Sequence, residues 1–164
     1  MSGGLHGTAA MHNCELYDIA KDVWTKFANL KRARCSHSAI SPDKKAATTY
    51  VFAGWVAQRR KTDSIEQYVG ETRLWREIRL EGGPALGKRD DLFALSYQGG
   101  IFIFGDDDDI SECFYFSTQT STLARRKIKR PQWGSSEARV RLHLRRGKAV
   151  YVDDEYEPRF IELK

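Results

Sequence analysis

The sequence predicts an all-β protein built from four-stranded antiparallel units. One observation is a repeated phrase, in which a hydrophobic run ends in glycine: "TTYVFAG" ends at Gly54, and "IFIFG" ends 51 residues later at Gly105. Runs rich in β-branched and aromatic residues, bounded by turn residues, are typical of strands, and runs that are apolar on both faces indicate buried strands. A second observation is that apolar residues show little of the 3.6-residue periodicity of an amphipathic helix.

Tyrosine and tryptophan repeat at the same spacing. Tyr17 and Tyr68 are 51 residues apart, and each is followed seven residues later by a tryptophan, Trp24 or Trp75. A further tyrosine, Tyr115, follows Tyr68 by 47 residues. A tyrosine and a tryptophan at this spacing bracket a hairpin, and their rings are expected to pack between neighbouring units rather than to form a ligand-stacking platform. Internal repeats of roughly 20–50 residues indicate solenoids, propellers or arrays.

The unit at residues 34–80 is the most complete. Its four predicted strands are "RCSHSAI" (34–40), "TTYVFAG" (48–54), "SIEQYV" (64–69) and "RLWREIRL" (73–80), separated by turn or polar segments. The whole chain divides into a flexible segment 1–13, a part unit 14–30, the units 34–80 and 89–129, and a degenerate part unit 138–164. These units contain two, four, four and three predicted strands.

This order of residues resembles the kelch repeat over about 14–129, and more faintly over 138–164. The family's glycine pair is degenerate here, since Ala53–Gly54 and Gly105–Asp106 stand in its place. The resemblance implies a β-propeller segment of four-stranded antiparallel blades. About three blades are fewer than the ~4–8 that close a ring. We therefore expect an incomplete ring: a fragment of a longer propeller, a truncated product, or a half that pairs with another copy.

The loops after the glycine-ended strands are the predicted partner-binding surface, because loops held by a rigid scaffold commonly carry function. Segments 55–63 and 106–111 follow the same strand of successive units, so we expect them on one face. The first is basic and the second acidic. The predicted contact residues are Trp55, Arg59, Arg60, Lys61, Asp106, Asp107, Asp108 and Asp109. The sequence thus favours a protein–protein interaction scaffold, with self-association to complete the ring as a further expectation.

A basic stripe offers an alternative function. Residues 125–148 contain ten Lys or Arg and one acid, Glu137, with Trp133 among them. Arginines clustered with an aromatic residue are typical of phosphate-backbone binding, whereas the competing interpretation is a charged, solvated sheet edge. The predicted nucleic-acid or polyanion contacts are Arg125, Arg126, Lys127, Arg130, Arg145 and Arg146.

Motifs for catalysis are absent, so we predict a protein that is not an enzyme and binds no metal or cofactor. None of His6, His12, His37 and His143 has a partner at a metal-site spacing. His37 is expected to be a packed or hydrogen-bonded residue, and the run Asp106–Asp109 a solvated loop rather than a calcium site. A metalloenzyme of kelch-like fold is the third function considered, and no ligand motif supports it.

Composition favours a protein of the cytoplasm, with the nucleus as the alternative. The three cysteines are widely separated and lack a CxxC pair, which is typical of buried, reduced thiols. No secretory leader and no apolar run long enough for a membrane helix is evident. The formal net charge of +5 permits an acidic partner without requiring one.

Overall fold

A computed structural model describes residues 1–42, 47–57, 60–80, 84, 86, 92–104, 112–127, 143–145, 148–152 and 158–162. Over the last three ranges we describe the backbone alone. The strands are β1 (Leu5–His6), β2 (Ala9–Ala10), β3 (Cys14–Asp18), β4 (Val23–Phe27), β5 (Ser38–Ile40), β6 (Thr48–Phe52), β7 (Trp55–Val56), β8 (Arg60–Lys61), β9 (Ile65–Val69), β10 (Leu74–Ile78), β11 (Phe93–Tyr97), β12 (Gly100–Phe104), β13 (Glu112–Ser117), β14 (Thr122–Lys127), β15 (His143–Arg145), β16 (Lys148–Val152) and β17 (Pro158–Glu162).

The described residues form antiparallel sheets and contain no α-helix, which confirms the all-β prediction. The larger sheets are β5–β6–β9–β10 and β11–β12–β13–β14, and they are accompanied by the pair β3–β4 and the three-stranded β15–β16–β17. Strand numbers of two, four, four and three therefore follow one another along the chain, as the sequence predicts. Two short hairpins, β1–β2 and β7–β8, were not predicted.

The repeat is visible in three hairpins of the same construction, β3–β4, β9–β10 and β13–β14. Each closes with a non-glycine residue in the left-handed region, at φ of 53° for Asp22, 55° for Arg73 and 54° for Ser121. Such a conformation is uncommon for residues other than glycine. Its occurrence at the same position of three hairpins shows that they are structural equivalents.

Strand register corrects one anchor of the repeat. Tyr68 lies opposite Trp75, and the corresponding pair in β13–β14 is Phe116 opposite Leu123. Tyr115 is therefore not the counterpart of Tyr68, because adjacent residues of a strand point to opposite faces. It packs on Phe102 instead, with ring centroids 5.0 Å apart.

Residues 1–13, predicted as a flexible segment, follow a defined path. The β1–β2 hairpin is preceded by Gly3 and Gly4, both with positive φ, and the amide of Gly4 donates to the carbonyl of Arg34 over 2.8 Å. Ala53 and Gly54 also both have positive φ, just before the β7–β8 hairpin. The bond between Gly4 and Arg34 joins segments far apart in sequence, and so local sequence patterns could not predict it. The first residues thus resemble the stretch that starts at Ala53, with Gly3 and Gly4 in the places of Ala53 and Gly54.

Two hydrophobic clusters lie on the opposite faces of the β5–β10 sheet. One face packs on the β11–β14 sheet and buries Phe52, Ile65, Ile101 and Phe116 among others. The other face packs on β3–β4 and buries Cys14, Leu30, Val51, Tyr68 and Trp75. The alternation of side chains along each strand supplies both faces at once.

The two repeated tryptophans differ in burial. Trp75 is 3% exposed, as predicted for a core residue, whereas Trp24 is 54% exposed. The prediction of core packing is therefore wrong for Trp24. The physical reason is that Trp75 is covered by residues of the preceding hairpin, and no described residue covers Trp24 in the same way.

Candidate functional site

An apolar cleft lies between the two equivalent short hairpins β1–β2 and β7–β8. Its volume is about 380 Å³, and it is lined by Leu5, Ala10, Cys35, Ser36, Trp55 and Val56, together with turn residues. Each hairpin follows a pair of residues with positive φ, so the two project in corresponding positions. We call this feature the Trp55 cleft.

The floor of the Trp55 cleft is fixed by backbone pairing. The amide of Cys35 donates to the carbonyl of Trp55 over 2.9 Å, and the amide of Trp55 donates to the carbonyl of Cys35 over 2.8 Å. Gly54 allows this approach, because a Cβ atom there would lie 2.6 Å from the Cys35 carbonyl oxygen. Gly3 has the same role beside the carbonyl of Arg34. The glycines are therefore required by close approach as well as by conformation.

A buried ion pair lies next to the Cys35–Trp55 backbone pairing. Arg34 and Glu66 are both fully buried, and their side chains are 2.6 Å apart. The guanidinium also donates to the carbonyl of Ala53 over 2.8 Å and to the hydroxyl of Ser64 over 2.8 Å. Burial lowers the pKa of Arg34, and the neighbouring Glu66 carboxylate opposes that shift. The pair ties the start of the β5 segment to β9, and so positions the residues that precede the cleft.

His37 lies next to this pair and is neutral at physiological pH. Burial, with a smaller contribution from the charge of Arg34, lowers its pKa from 6.5 to about 4. Its Nε2 is 3.0 Å from the Ser2 hydroxyl, while its buried Nδ1 has no hydrogen-bond partner among the described residues. His37 is therefore a packed and hydrogen-bonded residue, as predicted.

Trp55 lines the cleft, and one basic residue of the predicted loop, Lys61, lies over its indole ring. Trp55 is half-buried in β7 and pairs across the hairpin with Lys61. The Lys61 ammonium lies 5.1 Å from the centroid of the indole ring, a cation–π arrangement. Arg60 is exposed in β8. The remaining predicted loop residues lie outside the described residues: Arg59, Asp106, Asp107, Asp108 and Asp109.

Only part of the basic stripe lies in the described residues. Arg125, Arg126 and Lys127 are exposed on β14, an outer strand of its sheet. The guanidinium carbon of Arg126 is 5.7 Å from the centroid of the Tyr115 ring. Arg145 belongs to β15, and Arg130 and Arg146 lie outside the described ranges, as does the anchor Gly105.

The sequence reasoning missed most of the cleft lining. Leu5 and Ala10 come from the segment predicted to be flexible, and Cys35 and Ser36 come from a segment predicted as a plain strand. A signal was present in the doublet Gly3–Gly4, which corresponds to Ala53–Gly54 but lacks the apolar run that precedes that pair.

Comparison with protein-family models and with curated proteins finds no match to this chain. Within the described ranges, no three His, Cys, Asp or Glu side chains come together as metal ligands. The cysteines Cys14, Cys35 and Cys113 are buried, as predicted, and none is assigned to a disulfide among the described residues. No helix among the described residues is both long and apolar enough to cross a membrane.

Proposed function

We propose that this chain is a protein–protein interaction scaffold that binds a partner in the Trp55 cleft. The observation that carries the proposal is the position of a half-buried tryptophan between two equivalent hairpins, in an apolar cleft of about 380 Å³. Tryptophan and arginine are enriched among the residues that dominate binding energy, and they act best in desolvated pockets held by a rigid surround. The backbone pairing of Cys35 with Trp55 supplies that rigidity.

The charge around the cleft indicates the chemistry of the partner. The Lys61 ammonium lies over the indole and Arg60, opposite Val56, is exposed on the same hairpin, while the lining of the cleft is largely apolar. A partner segment that inserts an apolar side chain and carries an acidic residue next to it matches this surface. Complementary charges at the rim increase the association rate more than the final affinity.

The scaffold proposed is a kelch-like propeller segment with an incomplete ring. Three observations support it: stacked antiparallel sheets of the predicted strand order, three equivalent hairpins, and positive-φ residue pairs at Gly3–Gly4 and Ala53–Gly54. An open end of such an array exposes apolar surface. We expect the chain to bind a hydrophobic dye or to self-associate, and a dye-silent monomer would contradict the open ring.

Peptide selection tests the proposed binding function. Random peptides displayed on phage are selected on the immobilised chain, and the affinity of each selected peptide is measured by calorimetry. Peptides that occupy the cleft should lose affinity by about thirtyfold or more on Trp55→Ala, the effect of truncating a dominant interface residue. Trp24→Ala is the matched control, because it removes an exposed indole that lies outside the cleft. If no selected peptide distinguishes Trp55→Ala from the wild type, the proposal fails.

Polyanion binding by the basic stripe is the second candidate function. It is favoured by the exposure of Arg125, Arg126 and Lys127 along the outer strand β14. The guanidinium of Arg126 already lies over Tyr115, close to Tyr97 and Phe102 around a shallow cavity of about 210 Å³. Stacking of bases on aromatic and arginine planes is a common mode of single-stranded nucleic-acid binding.

A further inference from the structure

The hairpins β3–β4 and β9–β10 are equivalent, so each presents a corresponding face. On β9–β10 this face is covered by the segment of the same chain that follows β4. Cys14–Asp18 and Ile65–Val69 are equivalent strands, so Glu15 corresponds to Glu66 and Tyr17 to Tyr68. The same equivalence relates Trp24 to Trp75. We call Glu66, Tyr68 and Trp75 the filled face, and Glu15, Tyr17 and Trp24 the open face.

The segment that follows β4 packs on the apolar part of the filled face, Tyr68 and Trp75. The ring of Phe27 packs on Tyr68 with centroids 4.5 Å apart. The indole nitrogen of Trp75 donates a hydrogen bond to the carbonyl of Ala28 over 2.8 Å. Leu30 is buried in the same cluster. The Phe27 ring and the Leu30 side chain therefore cover the rings of Tyr68 and Trp75, and the Ala28 carbonyl accepts the hydrogen bond of the indole N–H.

The acidic half of the filled face binds the continuation of the same segment. The Glu66 carboxylate accepts the amides of Lys31 over 2.6 Å and Arg32 over 3.0 Å, and it pairs with the guanidinium of Arg34 at 2.6 Å. Arg32 in turn pairs with Glu77 at 3.0 Å. The whole bound segment is 27–34, and its side-chain pattern is Phe, Leu three residues later, and Arg four residues after the Leu.

The open face presents the same groups with no described residue packed over them. Tyr17 is 38% exposed and Trp24 54% exposed, against 7% for Tyr68 and 3% for Trp75. Glu15 is partly exposed, and it precedes Tyr17 by two residues, as Glu66 precedes Tyr68. Tyr17 and Trp24 thus expose two aromatic rings side by side, with centroids 4.9 Å apart, and the Tyr17 hydroxyl donates a hydrogen bond to Asp22.

One difference between the two faces alters the expected ligand. Lys26 stands opposite Glu15 in β3–β4, where Glu77 stands opposite Glu66 in β9–β10. Because Glu77 pairs with Arg32 in the filled face, Lys26 should pair with an acidic residue at the corresponding place of the ligand. The ligand arginine that corresponds to Arg34 remains complementary to Glu15.

We propose that the open face binds an extended segment of a partner protein with the spacing Phe-x-x-Leu-x-Glu-x-Arg. This segment reproduces the contacts of residues 27–34, with the acidic residue directed at Lys26. The binding would bury Tyr17 and Trp24 as Tyr68 and Trp75 are buried. The inference depends on the internal equivalence of the two faces, and it does not rest on the Trp55 cleft.

The test uses a peptide copied from the chain. A fluorescein-labelled peptide of sequence KFANLKRAR, residues 26–34, and its Arg32→Glu version are titrated with the full chain, and anisotropy is followed. We expect both peptides to bind, the Glu version more tightly. Glu15→Gln and Trp24→Ala should each weaken binding about tenfold or more, since the first removes a charged hydrogen bond and the second a dominant aromatic side chain. Trp55→Ala should leave the affinity unchanged.

The outcomes separate this proposal from its competitors. Both altered side chains are at least partly exposed, so the variants should fold, and circular dichroism checks that they do. Equal affinity for the wild type and Trp24→Ala would mean that the peptide binds elsewhere, for example by displacing the chain's own segment from the filled face, and would overturn the proposal. Absence of binding would overturn it too. A dimer in light scattering that Trp24→Ala dissociates would assign the open face to a second copy instead.

Discussion

Replacing Glu66 with glutamine tests the main polar contact between the first two sheets. The substitution keeps the size of the side chain and removes its charge. Arg34, which is fully buried, then loses its counter-charge, and one of the amides of Lys31 and Arg32 faces an NH₂ group instead of a carboxylate oxygen. Removal of one partner from a buried ion pair typically costs ~3–5 kcal/mol, because the other charge remains desolvated.

A loss of this size is a large fraction of the free energy of unfolding of a whole domain, which is about 5–15 kcal/mol. For a chain of 164 residues, ~1 kcal/mol corresponds to roughly 2–4 °C in Tm. We therefore expect Glu66→Gln to lower Tm by roughly 6–20 °C. Glu15→Gln is the matched control, since Glu15 is the structural counterpart but has no buried ion-pair partner among the described residues. It should change the free energy of unfolding by less than about 0.5 kcal/mol.

Urea unfolding followed by circular dichroism measures both variants under identical conditions. Because the comparison is between midpoints at equal slope, it does not depend on extrapolation to water. A similar, small destabilisation of the two glutamine variants would refute the reasoning, since it would mean that the buried pair contributes no more than an exposed carboxylate. A large destabilisation by Glu15→Gln would show instead that the open face is covered in solution.

Three further outcomes are expected. Trp75→Ala should lower the free energy of unfolding by ~3–5 kcal/mol in urea titrations, whereas Trp24→Ala should cost about 1 kcal/mol or less; equal costs would contradict the difference in exposure. His37 has a folded pKa of about 4, below its ordinary 6.5, so the unfolded chain binds more protons between these values and stability should fall as the pH drops through this window. The urea midpoint of His37→Gln should show a flatter pH profile there, and an unchanged profile would exclude His37 as the cause. If the basic stripe binds single-stranded RNA, the plot of log K against log salt has a negative slope, and each neutralised phosphate contributes ~0.7 to its magnitude. The double variant Arg125→Gln/Arg126→Gln should therefore make that slope shallower by about 1.4. An unaltered slope would show that these two arginines do not contact the RNA.

The hairpins and their spacing were predictable from sequence. Tyr17 and Trp24 stand seven residues apart, and the structure places them directly opposite each other in β3–β4. The number of residues between Tyr17 and Trp24 determines that they face each other, because the two strands and their turn are adjacent in the sequence. Burial is not local, and so the same spacing could not show that Trp24 is exposed while Trp75 is buried. That difference depends on whether a neighbouring unit packs over the hairpin.

The polar contacts beneath the cleft escaped prediction for a related reason. Arg34 and Glu66 are 32 residues apart, and each looks like an ordinary charged residue in a strand. A buried charge is rare unless it is paired, and sequence alone does not identify its partner. The third unit shows the same limit: its tyrosine was assigned to Tyr115, whereas strand register assigns the position to Phe116. An offset of one residue is enough to exchange the two faces of a strand.

The connectivity of the sheets has a consequence for how the chain folds during synthesis. In the β11–β14 sheet every strand pairs with the next strand along the chain, and in the β5–β10 sheet the short β7–β8 hairpin interrupts that order among the described strands. Pairing between chain neighbours keeps loop closure short, which favours fast folding for a β-protein. Each of these sheets can therefore form once its last strand has been synthesised. The segment 27–34 precedes its acceptor strands β9 and β10 in the chain, so the contacts that join the first two units can form only after both strands have been synthesised.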